Sequence, residues 1–556
     1  MKKERTKPER RFEPCPTTKT ISGVPINKLY SPENTEEIDY QRDLGNPGEY
    51  PFTRGIWGDM YRGKLWTKRV FSGLGLPSDT NKRWKYLIQH GETGLYWQSD
   101  APTGHGLDAD HPLGEYNAGV TGISFSMLKD FYDYFDGISP EDISLSQNTP
   151  TMAGPVIYAG FITYAEDMGY ELKKLSGSFI NEYLFSALTM FNVGHFPEEL
   201  SVKLSTDVIE HSIKQTPKLH PLAPNPYNLA DYGANVAQEI AFTVGIIREY
   251  IDRMIARGYN IDEFAPRVNV FGCSCDIDFF EEIGKFRATR RLWAKLMKEK
   301  YGAKDAKSMR IYLSAHTEGD SLTVVQPVNN IIRITLQSLA CVLGGLQSFD
   351  PCGYGEPHHL LTEAEALTCL NLHHILSHET GVAATADPLG GSYYVEWLTS
   401  KIEEDMWKLV DEIERMGGAL KAIGWMREKL EKESAKRQEE LETKDRYVVG
   451  VNEFIVPKEQ EVKIDMDKYR PAGEQIKIAE ERARQVRNFK MERDKKTTKN
   501  ALENLRSEAE KGEKHNLIPA IKKALRADAT LGEIIGVIRM ANGYDYDPYK
   551  MIDYPF

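Results

Sequence analysis

Long apolar runs and cysteines are both scarce in this sequence. No apolar run reaches about eighteen residues, the shortest length from which a membrane-spanning helix is predicted. The charged N-terminal segment MKKERTKPERRFEP lacks the apolar core of a secretory signal. Six cysteines in 556 residues are few, and the C-x-C spacing of Cys273 and Cys275 is typical of neither zinc sites nor thioredoxins. These absences predict free, mostly buried thiols in a protein of the reducing cytoplasm.

Charge is unevenly distributed along the chain. The net charge of −12 and the lack of a recognition module argue against nucleic-acid binding. Between positions 51 and 85, only Asp59 and Asp79 oppose a set of basic residues: Arg54, Arg62, Lys64, Lys68, Arg69, Lys82, Arg83 and Lys85. Such a patch favours a small polyanion, and the interleaved aromatic residues could stack on an adenine. A solvated basic face over a few core aromatics has the same composition.

Short apolar runs alternate with helical patterns between residues 90 and 400. The runs predict strands at Gly94–Ser99, Ile143–Gln147, Gly177–Asn181, Tyr227–Ala230, Arg267–Gly272, Met309–Ala315, Gly345–Phe349 and Gly381–Ala384. A helix follows most of them, and the clearest one is predicted at Asp278–Tyr301. This pattern predicts an α/β fold with parallel strands. Eight strand–helix units favour a (β/α)8 barrel with ligands at the C-terminal strand ends, whereas an open doubly wound sheet has the same local pattern.

Three regions of different composition predict the domain organisation. Residues 1–45 are polar and aperiodic, which is typical of an extended arm, and residues 46–400 carry the strand–helix units. Residues 401–556 are rich in Lys, Glu and Arg and predict a helical extension. Within that extension, the segment beginning EERARQVRNFKMERDKK predicts a solvated or loosely attached helix, and the apolar spacing after it predicts a small helical cap.

A series of motifs covers most of residues 20 to 455: SGVPINKLYSPENT, GEYPFTRGIWGDMYRGKLWTKRVFSGLG, GLYWQSDAPTGHGLDADHP, PRVNVF, KFRATRRLWAKLM, SLTVVQPVNNIIR, DPLGGSYYVEWLT and YVVGVNEF. In this order they resemble the large, catalytic subunit of the cobalamin-dependent acyl-CoA mutases, the family of methylmalonyl-CoA, isobutyryl-CoA and 2-hydroxyisobutyryl-CoA mutases. The resemblance implies a (β/α)8 TIM barrel, an N-terminal arm that joins subunits, and a radical 1,2-migration of the thioester carbonyl.

The cobalamin-binding domain of this family is missing from the sequence. That domain carries a D-x-H-x-x-G motif, and none of the thirteen histidines here has Asp two residues before it. The resemblance therefore implies that adenosylcobalamin is bound mainly by a separate small subunit. The family precedent implies a heterotetramer of two large and two small subunits, with no nucleic acid or membrane as partner.

The resemblance also implies residues for coenzyme A and for the cofactor. By motif match, the positions that contact the CoA chain or its phosphates are Lys64, Thr67, Arg69 and Arg287. Glu356 matches a glutamate that hydrogen-bonds the adenosyl ribose, and Cys352 replaces the family's neighbouring asparagine. A barrel that surrounds the CoA arm needs small polar residues on the strand faces that point into it. The candidates at the strand ends are Ser99, Thr149, Thr151, Asn181, Ser314 and Ser348. Each of these is also explained as an ordinary polar barrel residue.

Departures from the family concentrate where the acyl group lies. Phe71 replaces the tyrosine of methylmalonyl-CoA mutases, as in isobutyryl-type members, and Tyr96 and Gln98 stand at first-strand positions that are usually small. The catalytic candidates are Asn228 in place of the family histidine, His316 in place of a glutamine, and Lys203 at the carboxylate-pairing position. Asn228 can donate to a carbonyl but cannot protonate it, so His316 is a hypothesis for the carbonyl contact.

Two groups of residues invite a metal interpretation. Asp108, Asp110 and His111 lie in the family's loop after the first strand, and His374 and His378 share one helical face. Neither spacing supplies a complete set of ligands, so we predict no metal site.

The leading hypothesis is the large subunit of an adenosylcobalamin-dependent mutase for a branched or substituted acyl-CoA other than ordinary methylmalonyl-CoA. A catalytically silent partner subunit and a divergent methylmalonyl-CoA mutase are the alternatives. Retention of Arg69, Arg287 and Glu356 favours the enzyme.

Overall fold

The structure of the chain is a computed structural model, which describes residues 18–149, 151–189, 197–457 and 472–556. Its strands are β1 Thr67–Lys68, β2 Gly94–Gln98, β3 Ser144–Asn148, β4 Ser176–Ile180, β5 Lys218–His220, β6 Asn269–Cys275, β7 Tyr312–Thr317 and β8 Ser348–Asp350. All strand pairs are parallel, and the two four-stranded sheets have the orders β1-β8-β7-β6 and β2-β3-β4-β5. The predicted α/β class with parallel strands is confirmed.

Hydrogen bonds also connect the two sheets to each other. Beyond β5, Leu222 forms a parallel bridge with Val268, and the Asn269 backbone N–H donates to the Leu222 carbonyl at 3.2 Å. Beside β1, the Thr93 N–H donates to the Lys68 carbonyl at 3.1 Å. Both outer edges of each sheet are therefore bonded to the other sheet.

Six of the eight predicted strands are present, with boundaries shifted by a few residues. The strand predicted at Tyr227–Ala230 is wrong, since Pro226 precedes a short helix there. Gly381–Ala384 is not a strand either, because the chain turns at Gly381 with φ +73°. Strands β1 and β5 were missed because two and three residues are too few to show an alternating pattern.

Helices surround the sheets and form the whole C-terminal region. Within the described residues they are α1 Met60–Gly63, α2 Pro77–Gln89, α3 Ala101–Gly104, α4 Lys129–Tyr134, α5 Ala153–Asp167, α6 Leu184–Leu188, α7 Glu198–Gln215, α8 Tyr227–Asp231, α9 Val236–Ala256, α10 Ile261–Phe264, α11 Phe279–Lys295, α12 Ala306–Met309, α13 Asn329–Leu343, α14 Glu363–His378, α15 Tyr393–Arg415, α16 Ala419–Glu442, α17 Ala472–Glu492, α18 Lys495–Ala509, α19 Ile518–Arg526 and α20 Leu531–Ala541. The predicted helix at Asp278–Tyr301 is confirmed as α11 followed by a π turn at Leu296–Lys300.

Local sequence explains where several long helices begin. Asn235 caps α9 by accepting from the Gln238 N–H at 3.0 Å, while the Gln238 side chain accepts from the Asn235 N–H at 3.1 Å. Thr362 and Glu365 form the same reciprocal box at the start of α14. Each box satisfies backbone donors that a helix start leaves free, so these boundaries follow from the sequence.

The described part of the N-terminal arm lies on the outer helices. The Ile21 N–H donates to Asp278 at 2.9 Å, and the Tyr30 ring lies 4.8 Å from the Tyr394 ring and 4.9 Å from that of Trp397. Residues 1–17 of the predicted arm lie outside the described residues. The boundaries predicted at residues 45 and 400 stay predictions.

The C-terminal helices are firmly packed against the body. On α17, the buried Arg482 pairs with the buried Asp130 at 2.5 Å, and Lys490 pairs with Asp108 at 2.9 Å and with Asp110 at 2.7 Å. The expectation of a solvated or loosely attached helix is therefore wrong, because its charged side chains hold it to the body. Residues 458–471 of this extension lie outside the described residues.

Two further features concern the whole described chain. None of its helices combines the length and the apolar character that crossing a membrane requires. The five cysteines that it includes are free, and all except Cys352 are fully buried. The prediction of free, mostly buried thiols is confirmed for these five.

Candidate active site

A cavity of about 570 Å³ extends along the N-terminal halves of the strands of both sheets. Alternate residues of single strands line it, for example Ser144 and Ser146 of β3 and Asn269 and Phe271 of β6. Every second residue of a strand shares a face, so one face of each strand borders this space. Buried polar atoms without a hydrogen-bond partner face the cavity, and they include Ser146 Oγ, Ser314 Oγ and Asn269 Oδ1. The lining therefore has unused capacity to bond a polar ligand.

The predicted CoA contacts Lys64, Thr67 and Arg69 border this cavity, as does the predicted lining residue Ser348. Lys64 is exposed at its mouth. Arg69 is buried, and its guanidinium donates to Ser348 Oγ at 3.1 Å, to the Leu95 carbonyl at 2.6 Å and to Ser144 Oγ at 2.7 Å. Burial lowers the pKa of Arg69 to about 10, which leaves it cationic at neutral pH. Its fixed charge makes this wall of the cavity positive.

The structure does not bring Arg287 to the cavity. Arg287 lies on α11, where its guanidinium is bonded to the carboxylates of Asp387 and Glu396. Both carboxylates are buried beside it, so its charge is neutralised within the helical layer. The contact of Arg287 with CoA therefore stays a prediction, which the ion pairs in this structure do not support.

A hydrogen-bonded chain of five side chains lies at the C-terminal ends of β2, β3, β7 and β8. His316 Nδ1 is 2.5 Å from Asp350 Oδ2, and His316 Nε2 is 3.3 Å from the Tyr96 hydroxyl. The Asn148 amide donates to the Tyr96 hydroxyl at 3.0 Å and to Gln98 Oε1 at 2.6 Å. We name this chain the His316 network. It unites three predicted residues, namely His316, Tyr96 and Gln98, with two that the sequence analysis missed.

The bonding pattern assigns the protons of the His316 network. The Tyr96 oxygen accepts from Asn148, so its own proton is free to be donated to His316 Nε2. Nδ1 then carries the ring proton and donates it to Asp350. Burial raises the pKa of Tyr96 well above its ordinary value, so the phenol keeps its proton. Asp350 thus orients the ring and can stabilise it when a second proton binds at Nε2.

Aromatic rings enclose His316. Tyr96 lies 5.4 Å from Phe71 and stacks on Phe271 at 5.7 Å, while His316 stands edge-on to both Tyr96 and Phe271. Phe271 also borders the cavity, so the rings separate the cavity from the C-terminal strand ends. Such an apolar enclosure excludes water and strengthens the polar contacts inside it.

Gly272 lets the side chains of Asn225 and His316 pack closely against the backbone of β6. Its φ of +69° is unfavourable for other residues, and an added Cβ would overlap Asn225 Oδ1 and lie 2.8 Å from His316 Nε2. Asn225 Oδ1 is buried without a hydrogen-bond partner. The sequence analysis does not identify Asn225. Its one signal in the sequence is its position two residues before Tyr227, where a strand was wrongly predicted. Asn225 and His316 can together contact one ligand group.

Asn228 and Lys203 have different surroundings. Asn228 is half-buried on α8, directly after Tyr227, whose ring centroid lies 5.4 Å from that of His316. Lys203 lies on α7, where Nζ bonds Asp207 and the His515 carbonyl, both at 2.6 Å. This buried pair engages the Lys203 ammonium away from the His316 network. A catalytic role of Lys203 therefore stays a prediction, which this ion pair does not support.

The loop after β8 carries both residues predicted for the cofactor. The Cys352 thiol donates to the Thr317 carbonyl at 2.9 Å, so its hydrogen is used by the protein. Glu356 reaches solvent, yet partial desolvation by the surrounding protein raises its pKa to about 7. An added Cβ on Gly319 would lie 3.8 Å from Glu356 Cγ, which puts Glu356 across from the loop after β7. Glu356 thus lies at the C-terminal strand ends, where an incoming cofactor can meet it.

Of the other predicted lining residues, only Ser314 borders the cavity. Ser99 and Thr149 bond each other at 2.5 Å, and the Asn181 amide donates to the Ser205 carbonyl at 3.0 Å. Thr151 is buried, and its hydroxyl accepts from the Ala153 N–H at 3.2 Å at the start of α5. These four residues support strand ends and helix starts and are not among the residues that line the cavity.

The two groups considered for metal binding are engaged with protein partners. Asp108 and Asp110 pair with Lys490, and His111 Nε2 lies 3.3 Å from Asp547. Asp108, Asp110 and His111 border a second cavity of about 370 Å³, which lies between the loop after β2 and the C-terminal helices, away from the His316 network. His374 contacts Lys68 Nζ at 2.9 Å and the His90 carbonyl at 3.0 Å.

The sequence is similar to those of known proteins. A sequence model of the methylmalonyl-CoA mutase family matches residues 19–544. The chain is 36% identical to the 2-hydroxyisobutanoyl-CoA mutase large subunit of Aquincola tertiaricarbonis over 522 residues, which cover 93% of this chain and 90% of that protein. It is 35% identical to methylmalonyl-CoA mutase of Rhizobium meliloti, covering 95% of this chain and 72% of that protein, and 34% identical to the human mitochondrial enzyme, covering 94% and 68%.

Proposed function

Because the chain belongs to the methylmalonyl-CoA mutase family, whose members are isomerases, we propose that it is the large, catalytic subunit of an adenosylcobalamin-dependent acyl-CoA mutase. Its substrate is a branched or substituted acyl-CoA other than methylmalonyl-CoA. One observation carries this choice: the His316 network offers hydrogen bonds to an uncharged acyl group, while Lys203, the cation predicted to pair with a substrate carboxylate, is engaged elsewhere. Arg69 donates to Ser348, Leu95 and Ser144, and Lys203 is paired with Asp207.

We infer that the two sheets close into a (β/α)8 barrel. The bonds between Leu222 and Val268 and between Thr93 and Lys68 support closure on both sides. The cavity supports it as well, because residues of both sheets line one common space. In such a barrel the cavity is the axial passage, entered from the N-terminal face and ending at the aromatic rings around His316.

The CoA arm occupies this passage in the proposed complex. Lys64 at the mouth meets the phosphates, and the buried Arg69 adds fixed positive charge along the wall. The unpartnered Ser146, Ser314 and Asn269 atoms bond the amide groups of the pantetheine chain. This arrangement delivers the thioester to the aromatic enclosure while the charged end of CoA stays near solvent.

At the inner end, His316 holds the migrating thioester carbonyl. Nε2 lies beside Gly272. When a proton binds at Nε2, the Tyr96 hydroxyl that donates to the neutral ring turns away, the ring donates to the carbonyl, and Asp350 behind the ring supports the added charge. Asn225 Oδ1 accepts from a hydroxyl of a hydroxylated acyl group. Phe71, Tyr96 and Phe271 exclude water during the migration.

For the cofactor, Glu356 fits the ribose, since a carboxylate accepts from two hydroxyls and this one lies at the open strand ends. Cys352 does not fit, because its thiol hydrogen is bonded to Thr317. When bound, adenosylcobalamin supplies the radical that removes a hydrogen atom from the substrate. We propose that a separate small subunit brings it, in a cytoplasmic heterotetramer of two large and two small subunits. The Aquincola relative is itself named a large subunit.

The experiment that tests this function mixes the chain with a cobalamin-carrying small subunit, adenosylcobalamin and a panel of acyl-CoAs. We expect an isomeric product from a branched or hydroxylated acyl-CoA, and little succinyl-CoA from methylmalonyl-CoA. Replacing His316 with Ala removes the carbonyl contact and is expected to abolish that product. Rapid turnover of methylmalonyl-CoA would instead support a divergent methylmalonyl-CoA mutase.

The silent-partner alternative makes a different prediction for the same mixture. A silent subunit binds the small subunit but forms no product from any acyl-CoA. The orphaned polar atoms of the cavity and the intact His316 network favour the enzyme, because a subunit without substrate has no use for buried unpaired groups.

A further inference from the structure

Glu318 is a buried acid without a basic partner. It follows β7 directly and is 2% exposed, and its carboxylate oxygens accept from no N–H group of the described residues, although its carboxyl group contacts that of Asp231. Its backbone is fixed on both sides, since its N–H donates to the Cys275 carbonyl at 2.9 Å and its carbonyl accepts from Ser321 Oγ at 2.7 Å. A carboxylate held in this way costs free energy unless a counter-charge or a proton is present.

Two further carboxylates converge on Glu318. Asp231 ends α8, and Asp320 lies in the turn after β7, both exposed to solvent. One oxygen from each of the three residues lies within 4.8 Å of the others. Ligand oxygens around Ca²⁺ or Mg²⁺ are separated by at most twice the bond length, or about 4–5 Å. The three carboxylates are therefore close enough to share one ion.

No lysine or arginine of the described residues forms an ion pair with this cluster. Arg437 approaches Asp231 and Asp320, but its guanidinium donates to the Ala234 carbonyl at 3.2 Å. Oxygen-only ligands with an open side for water are the preference of hard divalent cations.

We propose that Asp231, Glu318 and Asp320 bind a hard divalent cation, Ca²⁺ or Mg²⁺, at the C-terminal strand ends. The exposed aspartates admit the ion and its remaining water ligands, and the buried glutamate holds it. This site is independent of the proposed mutase activity, since none of its ligands belongs to the His316 network.

The cation ties together two elements that border His316. Gly319, between two of the ligands, donates its N–H to the Tyr227 hydroxyl at 2.9 Å, and Tyr227 begins the helix that ends at Asp231. The same Tyr227 ring lies 5.4 Å from His316. Binding of the ion therefore fixes α8 against the loop after β7.

Terbium luminescence on the full chain tests the site without any turnover. We expect Tb³⁺ emission on excitation of the aromatic side chains, because Tyr227 lies beside the ligands, and displacement of Tb³⁺ by excess Ca²⁺ or Mg²⁺. Glu318→Gln and Asp320→Asn should each weaken Tb³⁺ binding by about tenfold or more, since each removes one charged ligand. Asp320 is exposed, so its variant is expected to fold normally.

Glu182→Gln is the matched control. Glu182 is equally buried and also has an unpartnered oxygen, but it is not part of the cluster. Its variant should bind Tb³⁺ like the wild type. In thermal melts, Ca²⁺ should raise the Tm of the wild type and of Glu182→Gln but not of Glu318→Gln. Absence of Tb³⁺ binding in the wild type, or equal binding in Glu318→Gln, would overturn the proposal and indicate that Glu318 holds a proton instead.

Discussion

Replacing Asp350 with Asn tests how the His316 network works. The introduced amide side chain would have nearly the shape of the carboxylate, and its oxygen could still accept from His316 Nδ1, which lies 2.5 Å from Asp350 Oδ2. The ring keeps its orientation, while the negative charge behind it is lost. Asp350 is 3% exposed, so solvent does not screen that charge.

The expected loss of kcat follows from the strength of the hydrogen bond between His316 and Asp350. Hydrogen bonds to a charged group contribute about 1.5–3 kcal/mol and neutral ones about 0.5–1.5 kcal/mol. The substitution therefore lowers the stabilisation of the protonated His316 ring by roughly 1.5 kcal/mol. About 1.4 kcal/mol corresponds to a factor of ten in rate. If the ring holds the carbonyl through a proton at Nε2, kcat falls about tenfold and KM changes little, because the contact strengthens during migration.

A double-mutant cycle with His316→Gln is the assay. Asp350 acts through the ring, so Asp350→Asn should lower kcat about tenfold in the wild-type background and have almost no effect in the His316→Gln background. Circular dichroism and thermal melts serve as controls for the fold. An undiminished kcat in Asp350→Asn, or the same loss in both backgrounds, would refute the role given to the pair.

Three more substitutions follow from the structure. Lys203→Met leaves Asp207 partly unpaired and should lower the free energy of unfolding by about 3 kcal/mol in urea without changing kcat. Burial raises the pKa of Glu182 to about 8, so its stabilising contribution is complete below about pH 4.5 and is lost as the pH rises towards 8. Glu182→Gln should therefore raise the Tm relative to the wild type at pH 8.5 and not at pH 4. Gly272→Ala forces a strained φ and a clash with Asn225, so unfolding melts should show a loss of about 2 kcal/mol and acyl-CoA turnover should fall.

The fold could be predicted from the sequence where strands are long and apolar. Arg267–Gly272 and Met309–Ala315 lie within a few residues of β6 and β7 because each buried strand is long enough to show its pattern. Strand β1 has two residues, of which Lys68 is charged, and only its bonds to Ser348 and Phe349 of β8 make it a strand. Such pairing depends on tertiary contacts that local periodicity does not contain.

The candidate site could be predicted residue by residue but not as a network. His316 and Tyr96 were found through family motifs, whereas Asp350 was missed although it directly follows the predicted strand Gly345–Phe349. His316 and Asp350 are partners in the register of β7 and β8, as Gln98 and Asn148 are in β2 and β3. Register between parallel strands separated by a helix is set by the packed sheet, so these pairs emerge only from the structure.

In the proposed enzyme, the placement of charge limits which acyl groups the site accepts. A free carboxylate on the acyl group, as in methylmalonyl-CoA, needs a free cation where water is excluded, since burying an unpaired carboxylate costs several kcal/mol. Arg69 donates to Ser348, Leu95 and Ser144, Lys203 is paired with Asp207, and Asp350 adds negative charge beside His316. A hydroxyl or an alkyl branch needs no such cation. The arrangement that would support a proton on His316 therefore disfavours an acyl group with a free carboxylate, so the proposed substrate choice and the proposed carbonyl contact both depend on Asp350.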